Sequence, residues 1–183
     1  MAKTKTQMKI FTIADYKEEE KWLENQHSNG WKLIKINLPF FYTFEKVQPE
    51  KVIYQLDFKE KEATDDYIKM YEDYGWQHLG YYLGWNYFRK YESAATSESD
   101  KEIFSDTESK IEMIEQVFKT RMLPVLTIFV AVMLPNFCGL DKLDFSPSEI
   151  VFTIIYLVVF ALYIWGIIHC GIKLTKMKKE LEK

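Results

Sequence analysis

The chain has 183 residues, a formal net charge of −3 and 48% hydrophobic residues, with aromatics at 16%. Up to Tyr91 the 14 basic and 14 acidic side chains cancel, which argues against a nucleic-acid binder, since those carry a basic excess. Two cysteines, Cys138 and Cys170, argue against a disulfide framework.

The N-terminal stretch MAKTKTQMKIFTIADY lacks the apolar core of a secretory signal. Lys9–Ile13 (KIFTI) reads as a strand. Asp15 is placed to cap a helix whose first turns carry Glu18, Glu19 and Glu20, where the helix dipole favours acids. Tyr16, Trp22, Leu23, Gln26 and His27 mark one helical face, and Gly30 ends it. Trp31–Asn37 alternates like a strand, Leu38-Pro39 turns, and Phe40–Val47 returns.

The pattern then recurs. Val52–Phe58 reads as a strand, Thr64 caps a helix with Tyr67, Ile68, Met70 and Tyr71 on its apolar face, and Gly75-Trp76 repeats Gly30-Trp31. Gln77–Tyr82 and Trp85–Tyr91 follow as strands about a Leu83-Gly84 turn. At an offset of 45, Phe11 matches Leu56, Ile13 matches Phe58 and Leu23 matches Ile68; one residue is lost in the hairpin, so Phe44-x-Lys46 matches Phe88-x-Lys90. The expected fold is α+β: two strand–helix–strand–strand repeats, about 8–47 and 52–91, forming an antiparallel sheet with helices on one face. The competing explanation is chance similarity of common helix-stop and hairpin chemistry.

Residues 92–104 are small, polar and acidic, the composition of a flexible linker. Ser105–Glu108 has the form of a capping box, predicting an amphipathic juxtamembrane helix over 105–121 with a bend at Pro124. Two uncharged runs follow, Met122–Leu140 of 19 residues and Ile150–Ile172 of 23 residues. As helices they reach roughly 28 and 34 Å, against a hydrocarbon core of about 30 Å. They predict a transmembrane hairpin with an external turn at 141–149 and a basic cytoplasmic tail at 173–183; the alternative is a buried helical hairpin of a soluble protein. Lys119, Arg121, Lys173, Lys176, Lys178 and Lys179 flank one side and Lys142 the other, so both termini are expected in the cytoplasm.

The segments KIFTIADYKEEEKWLENQHSNGWKLIKINLPFFYTFEK, VIYQLDF, YEDYGW, GWNYFRK and EIFSDTESKIEMI, in this order, resemble a bacterial family catalogued as domain of unknown function 2812. The resemblance covers most of Lys9–Leu123. It implies no activity; it implies a membrane hairpin and the company of PadR-type transcriptional repressors, hence a place in regulation or envelope defence. In architecture alone, the paired units are similar to gyrase-inhibitor-like drug-binding domains, which implies a bulky, often cationic ligand held by aromatic walls and a carboxylate.

No H-E-x-x-H, C-x-x-C, G-x-S-x-G or glycine-rich phosphate loop occurs, so neither enzyme, metal nor cofactor is expected. His169-Cys170 reads as polar side chains reaching an interface or a neighbouring helix, with a proton- or metal-linked role as the alternative. The best lead is the aromatic strands. Trp31, Tyr42, Tyr54, Trp76, Trp85 and Tyr87 are candidates for lining a groove, with Glu45 and Asp57 as strand carboxylates that meet a cation. The plainer reading of the same residues is a thick core rimmed by tyrosines. The function expected is a non-enzymatic binding module at the inner face of a bacterial membrane, sensing or regulating through an apolar or cationic small molecule or a protein partner. The rival is a small immunity or transport-accessory subunit in which the hairpin is the active part.

Overall fold

A computed structural model describes residues 3–37, 40–104, 106–138 and 146–182. It divides into two compact units, Met1–Gln116 and Val117–Lys183. The expected turn at Leu38-Pro39, the cap at Ser105 and the first part of the external turn lie outside the described residues.

The first unit is α+β. Its elements are β1 (Thr4–Met8), α1 (Tyr16–Ser28), β2 (Trp31–Asn37), β3 (Phe41–Lys46), β4 (Val52–Phe58), α2 (Asp65–Asp73), β5 (Gln77–Tyr82) and β6 (Trp85–Tyr91). Gly30 and Gly75 follow the two helices at φ +78° and +82°, the left-handed conformation that stops a helix. The α2 cap is Thr64, whose side chain accepts from the Tyr67 N–H. Asp15 occupies the corresponding place before α1, but its carboxylate turns back to Thr12, accepting from the backbone N–H and the hydroxyl at 2.9 and 2.5 Å.

The strands form two three-stranded antiparallel sheets, ordered β1-β3-β2 and β4-β6-β5, and not one continuous sheet with both helices on one face. The two strands that would join them each carry a bulge, between Leu33 and Lys35 in β2 and between His78 and Gly80 in β5. A bulge interrupts the ladder and twists an edge away from pairing. Helix α1 packs against both sheets. Trp22 meets Tyr42 and Phe44 of the first, while Tyr16 stacks on Trp85 and His27 meets Tyr54 of the second. Helix α2 covers the opposite face of the second sheet through Tyr71, which packs with Trp76 and Phe88. The second sheet is thus buried on both faces, and β6 is buried at every position but Tyr91.

The first strand departs from the sequence expectation. It is the polar segment Thr4–Met8, antiparallel to β3, while residues 9–13 run on as irregular chain. Thr6 pairs with Thr43 as Leu56 pairs with Tyr87, so Leu56 corresponds to Thr6 and not to Phe11. The offset of 45 holds from the helix C-termini through β2 and β5 and becomes 44 between β3 and β6; it does not extend back through the helices, because α1 has 13 residues and α2 has 9.

Residues 92–104, expected as a flexible linker, carry two short 3₁₀ turns, Glu92–Ala94 and Ser99–Lys101. They fold back on the second sheet. Asp100 pairs with Lys90 at 2.7 Å, and Ile103 is buried against Tyr71, Trp76 and Phe88.

Two helices, Thr107–Cys138 (α3) and Pro147–Leu181 (α4), are long and apolar enough to cross a membrane. Asp106 accepts from the Ser109 N–H at the start of α3. In α3 the Leu123 N–H reaches back to the Phe118 carbonyl and the Leu134 N–H to the Phe129 carbonyl, a wide π-type turn directly before Pro124 and before Pro135. Each wide turn eases the clash between a proline ring and the carbonyl four residues earlier. Helix α4 starts before the expected Ile150, at a Ser146–Glu149 capping box. In the second unit the Tyr163 hydroxyl donates to the Val125 carbonyl at 3.0 Å and Tyr156 donates to that of Met133. Phe160 lies between them against Phe129 and Phe137, so the helices run antiparallel along this seam.

Candidate functional site

Burial along α1 recurs at Tyr16, Glu19, Glu20, Leu23 and His27, so the apolar face of this helix carries two carboxylates. Glu19 is 5% exposed. Its Oε1 accepts from the Tyr42 hydroxyl of β3 at 2.8 Å and from the Tyr87 hydroxyl of β6 at 2.7 Å. One carboxylate oxygen therefore ties the two sheets to the helix between them. Burial raises the Glu19 pKa, the Tyr87 and Tyr42 hydroxyls pull it back, and Asp15 pushes it up again.

Tyr87 also lines a cavity of about 200 Å³, which Glu19 itself does not line. It is lined by residues 33–36 of β2, residues 79–82 of β5 and Tyr87. The two bulges thus face one space, and Tyr87 connects it to Glu19. The Tyr82 hydroxyl accepts from the Phe40 N–H at 3.5 Å. Burial first, then Glu19, raises the pKa of Tyr42 and Tyr87, and Tyr82 adds to both.

The next carboxylates on α1 do different work. β4 is an edge strand, and edge strands present unpaired backbone N–H groups. Glu20 accepts from the Leu56 N–H at 2.8 Å and Glu24 from the Tyr54 N–H at 3.2 Å. Burial raises the pKa of both, that of Glu20 to about 7 despite Lys17 at 2.9 Å. One turn on, buried His27 shares a 2.9 Å hydrogen bond through Nδ1 with the Tyr54 hydroxyl. Burial, then Arg89 and Lys32, lower the His27 pKa to about 4, so the ring is neutral.

Of the eight residues singled out from the sequence, the structure brings together Tyr42 and Tyr87. Tyr54 is buried against His27, and Trp85 stacks on Tyr16 and meets Phe58 edge to face. Trp76 lies on the opposite face of the second sheet, under α2. Trp31 is half-buried at the edge of the first sheet between Lys5 and Lys46, and Glu45 pairs with Lys32 at 3.7 Å on the surface. Asp57 is fully buried on the α2 side, accepting from the Tyr67 hydroxyl; its Oδ1 and the Nδ2 of Asn86, its cross-strand partner, make no hydrogen bond. All of the candidate aromatics but Trp31 are buried in the core rather than lining an open groove. Glu19 was hidden in the acidic run 18–20. Its signal is its spacing, three residues after Tyr16 and four before Leu23, on the apolar face.

Among the described residues, no group of three or more His, Cys, Asp or Glu is placed to hold a metal ion. A family model described as "Protein of unknown function (DUF2812)" matches residues 15–127. The chain belongs to the DUF2812 family. No curated protein and no solved structure matches it. In this DUF2812 chain the matched region holds both the Glu19 cluster and the seam cavity.

Proposed function

We propose that this DUF2812 protein is a non-enzymatic binding module held at the inner face of a bacterial membrane, and that its site is the seam between the two sheets. The observation that carries the reading is Glu19, a buried carboxylate with two tyrosine hydroxyls, one from each sheet, and no cation in ion-pair reach among the described residues. A buried carboxylate is costly when ionised and unpaired, so a ligand that brings a positive charge is favoured there. Tyrosine rings in the adjoining walls suit a cation that is also apolar. The cavity of about 200 Å³ is below the roughly 300–1,000 Å³ of drug-sized sites, so the ligand is an aromatic monoamine in size and not a bulky drug.

The duplication of strand–helix–strand–strand units belongs to the same reading. The bulges at Leu33/Lys35 and His78/Gly80 fall 45 residues apart, as do Gly30 and Gly75. Lys46 and Lys90 each reach the carbonyl before their glycine, Asn29 at 3.1 Å and Tyr74 at 2.8 Å. A duplicated unit whose bulged strands meet makes one central site.

The membrane part rests on α3 and α4. The most apolar window of α4 is 0% buried, and Phe152, Leu162 and Ile172 are 71, 62 and 66% exposed. Such a surface suits lipid. Anchoring places a sensor where apolar cations concentrate, and a change at Glu19 alters the packing of α1 that a regulatory protein partner reads. A reporter fused after Lys183 tests the anchor: activity in the cytoplasmic form, with a cysteine at Leu143 labelled from outside, is expected. Labelling only after lysis would contradict it. Equilibrium dialysis of phenethylammonium against the full chain tests the site, with saturable uptake expected.

A further inference from the structure

The end of each repeat carries the same device, and only one copy is covered. In the second, Lys90 Nζ lies 5.7 Å over the Trp76 ring and donates to the Tyr74 carbonyl. Residues 92–104 close over it. The Asp100 carboxylate takes the Lys90 ammonium at 2.7 Å, and Ile103 fills the space between Trp76, Phe88 and Tyr71. The side chain of Lys90 is 1% exposed, and its hydrogen bond is the largest influence holding Asp100 down to about 2.

In the first repeat, Lys46 Nζ lies 4.8 Å over the Trp31 ring and donates to the Asn29 carbonyl. No strap follows, because residues 47–51 lead directly into β4. Lys46 is exposed and Trp31 half-buried. The place of Ile103 is taken by Lys5, whose Nζ is 4.4 Å over Trp31, 5.4 Å over Phe44 and 2.8 Å from Gln26 Oε1. Burial, then Lys46, lower the Lys5 pKa, so the two ammonium groups repel across one indole. Neither has a carboxylate in ion-pair reach among the described residues. This is a platform with an aromatic floor and two uncompensated cations, and the other repeat displays its occupant.

We propose that Trp31, Lys5 and Lys46 dock an acidic peptide segment of a partner protein, whose carboxylate takes the place at Lys46 that Asp100 takes at Lys90. The segment 92–104 shows the chemistry, an acid followed three residues later by an aliphatic side chain. The inference is independent of the seam site.

The test uses the full chain in nanodiscs of neutral phosphatidylcholine and a fluorescein-labelled peptide copying Thr96–Phe104, TSESDKEIF. Saturable anisotropy is expected. Lys5→Gln with Lys46→Gln should weaken binding about tenfold or more, the loss expected of a charge-assisted hydrogen bond. Asp100→Asn in the peptide should do the same. Absence of saturable binding overturns the proposal. So does binding that survives the double substitution, which means the peptide only exchanges with the strap at Lys90. A third contrary result is protection of Lys5 and Lys46 from acetylation by phosphatidylglycerol in the nanodisc but not by the peptide, which assigns the platform to the membrane surface.

Discussion

Tyr42 and Tyr87 donate to the same oxygen of Glu19, although one belongs to the first sheet and the other to the second. Replacing the acceptor separates its roles. Glu19→Gln keeps a carbonyl for both hydroxyls and should leave the domain folded, with a loss of about 1 kcal/mol. Glu19→Leu orphans two buried hydroxyls, each costing about 1–3 kcal/mol. Denaturant unfolding of the full chain in detergent, followed by tryptophan fluorescence, should rank Gln well above Leu. Equal losses would mean that the cluster does not tie the sheets together.

The carboxylates of α1 make stability depend on pH in a defined sense. The Glu20 pKa, raised from 4.5 to about 7, lets the folded state hold more protons than the unfolded state between those values. Stability is then complete at low pH and is lost as pH rises through about 7. Glu19, Glu24 and Asp57, also raised, act in the same direction. Relative to Glu20→Gln, the wild type should lose melting temperature from pH 5 to pH 7.5, so the variant flattens much of that slope. An unchanged slope in the variant would contradict the assignment.

His27 acts on the acid side. Its pKa, lowered from 6.5 to about 4, means that the unfolded chain binds the extra proton between those values. That part of the stability is lost as pH falls from 6.5 toward 4. From pH 7 to pH 5 the stability of His27→Asn should change more favourably than that of wild type, because the His27 loss is removed and the Glu20 gain remains. A less favourable change in the variant would reverse the argument.

Gly30 is required twice over. It sits at φ +78°, and a Cβ there would lie 2.7 Å from the Val47 carbonyl oxygen and 2.9 Å from Lys46 Nζ. Gly75 has φ +82° but only Lys90 Cε at 3.6 Å. Gly30→Ala should therefore cost more than Gly75→Ala, where backbone strain of about 1–3 kcal/mol acts alone. Equal melting points for the two variants would show that the Val47 contact is relieved without cost.

The two tryptophans after these glycines are not equivalent in energy. Trp76 is 4% exposed in the core and Trp31 is half-buried. Trp76→Ala should cost about 3–5 kcal/mol and Trp31→Ala clearly less. A severe loss at Trp31 with a mild one at Trp76 would invert the burial argument.

Much of the first unit was legible because its signals are local. The strands β2, β4, β5 and β6, the glycine stops and the Thr64 cap all follow from alternation and turn chemistry. What was not legible is tertiary. β1 is a polar edge strand (TKTQM) with no apolar alternation, so the neighbouring KIFTI drew the assignment. The division into two sheets depends on bulges, which composition does not mark. The strap over Trp76 depends on one ion pair and on Ile103 at the end of a polar stretch. Tyr42 and Tyr87 were identified as site candidates from their strands, but the carboxylate that unites them sits on a helix, in a run that looked like an acidic first turn.

The seam site is tested most directly by titrating phenethylammonium into the full chain in detergent at pH 8 and repeating the titration with Glu19→Gln. The account predicts saturable binding to the wild type, at least about tenfold weaker in the variant, with a cooperative melting transition retained in both. Binding that is equal in the two proteins, or that never saturates, would contradict it.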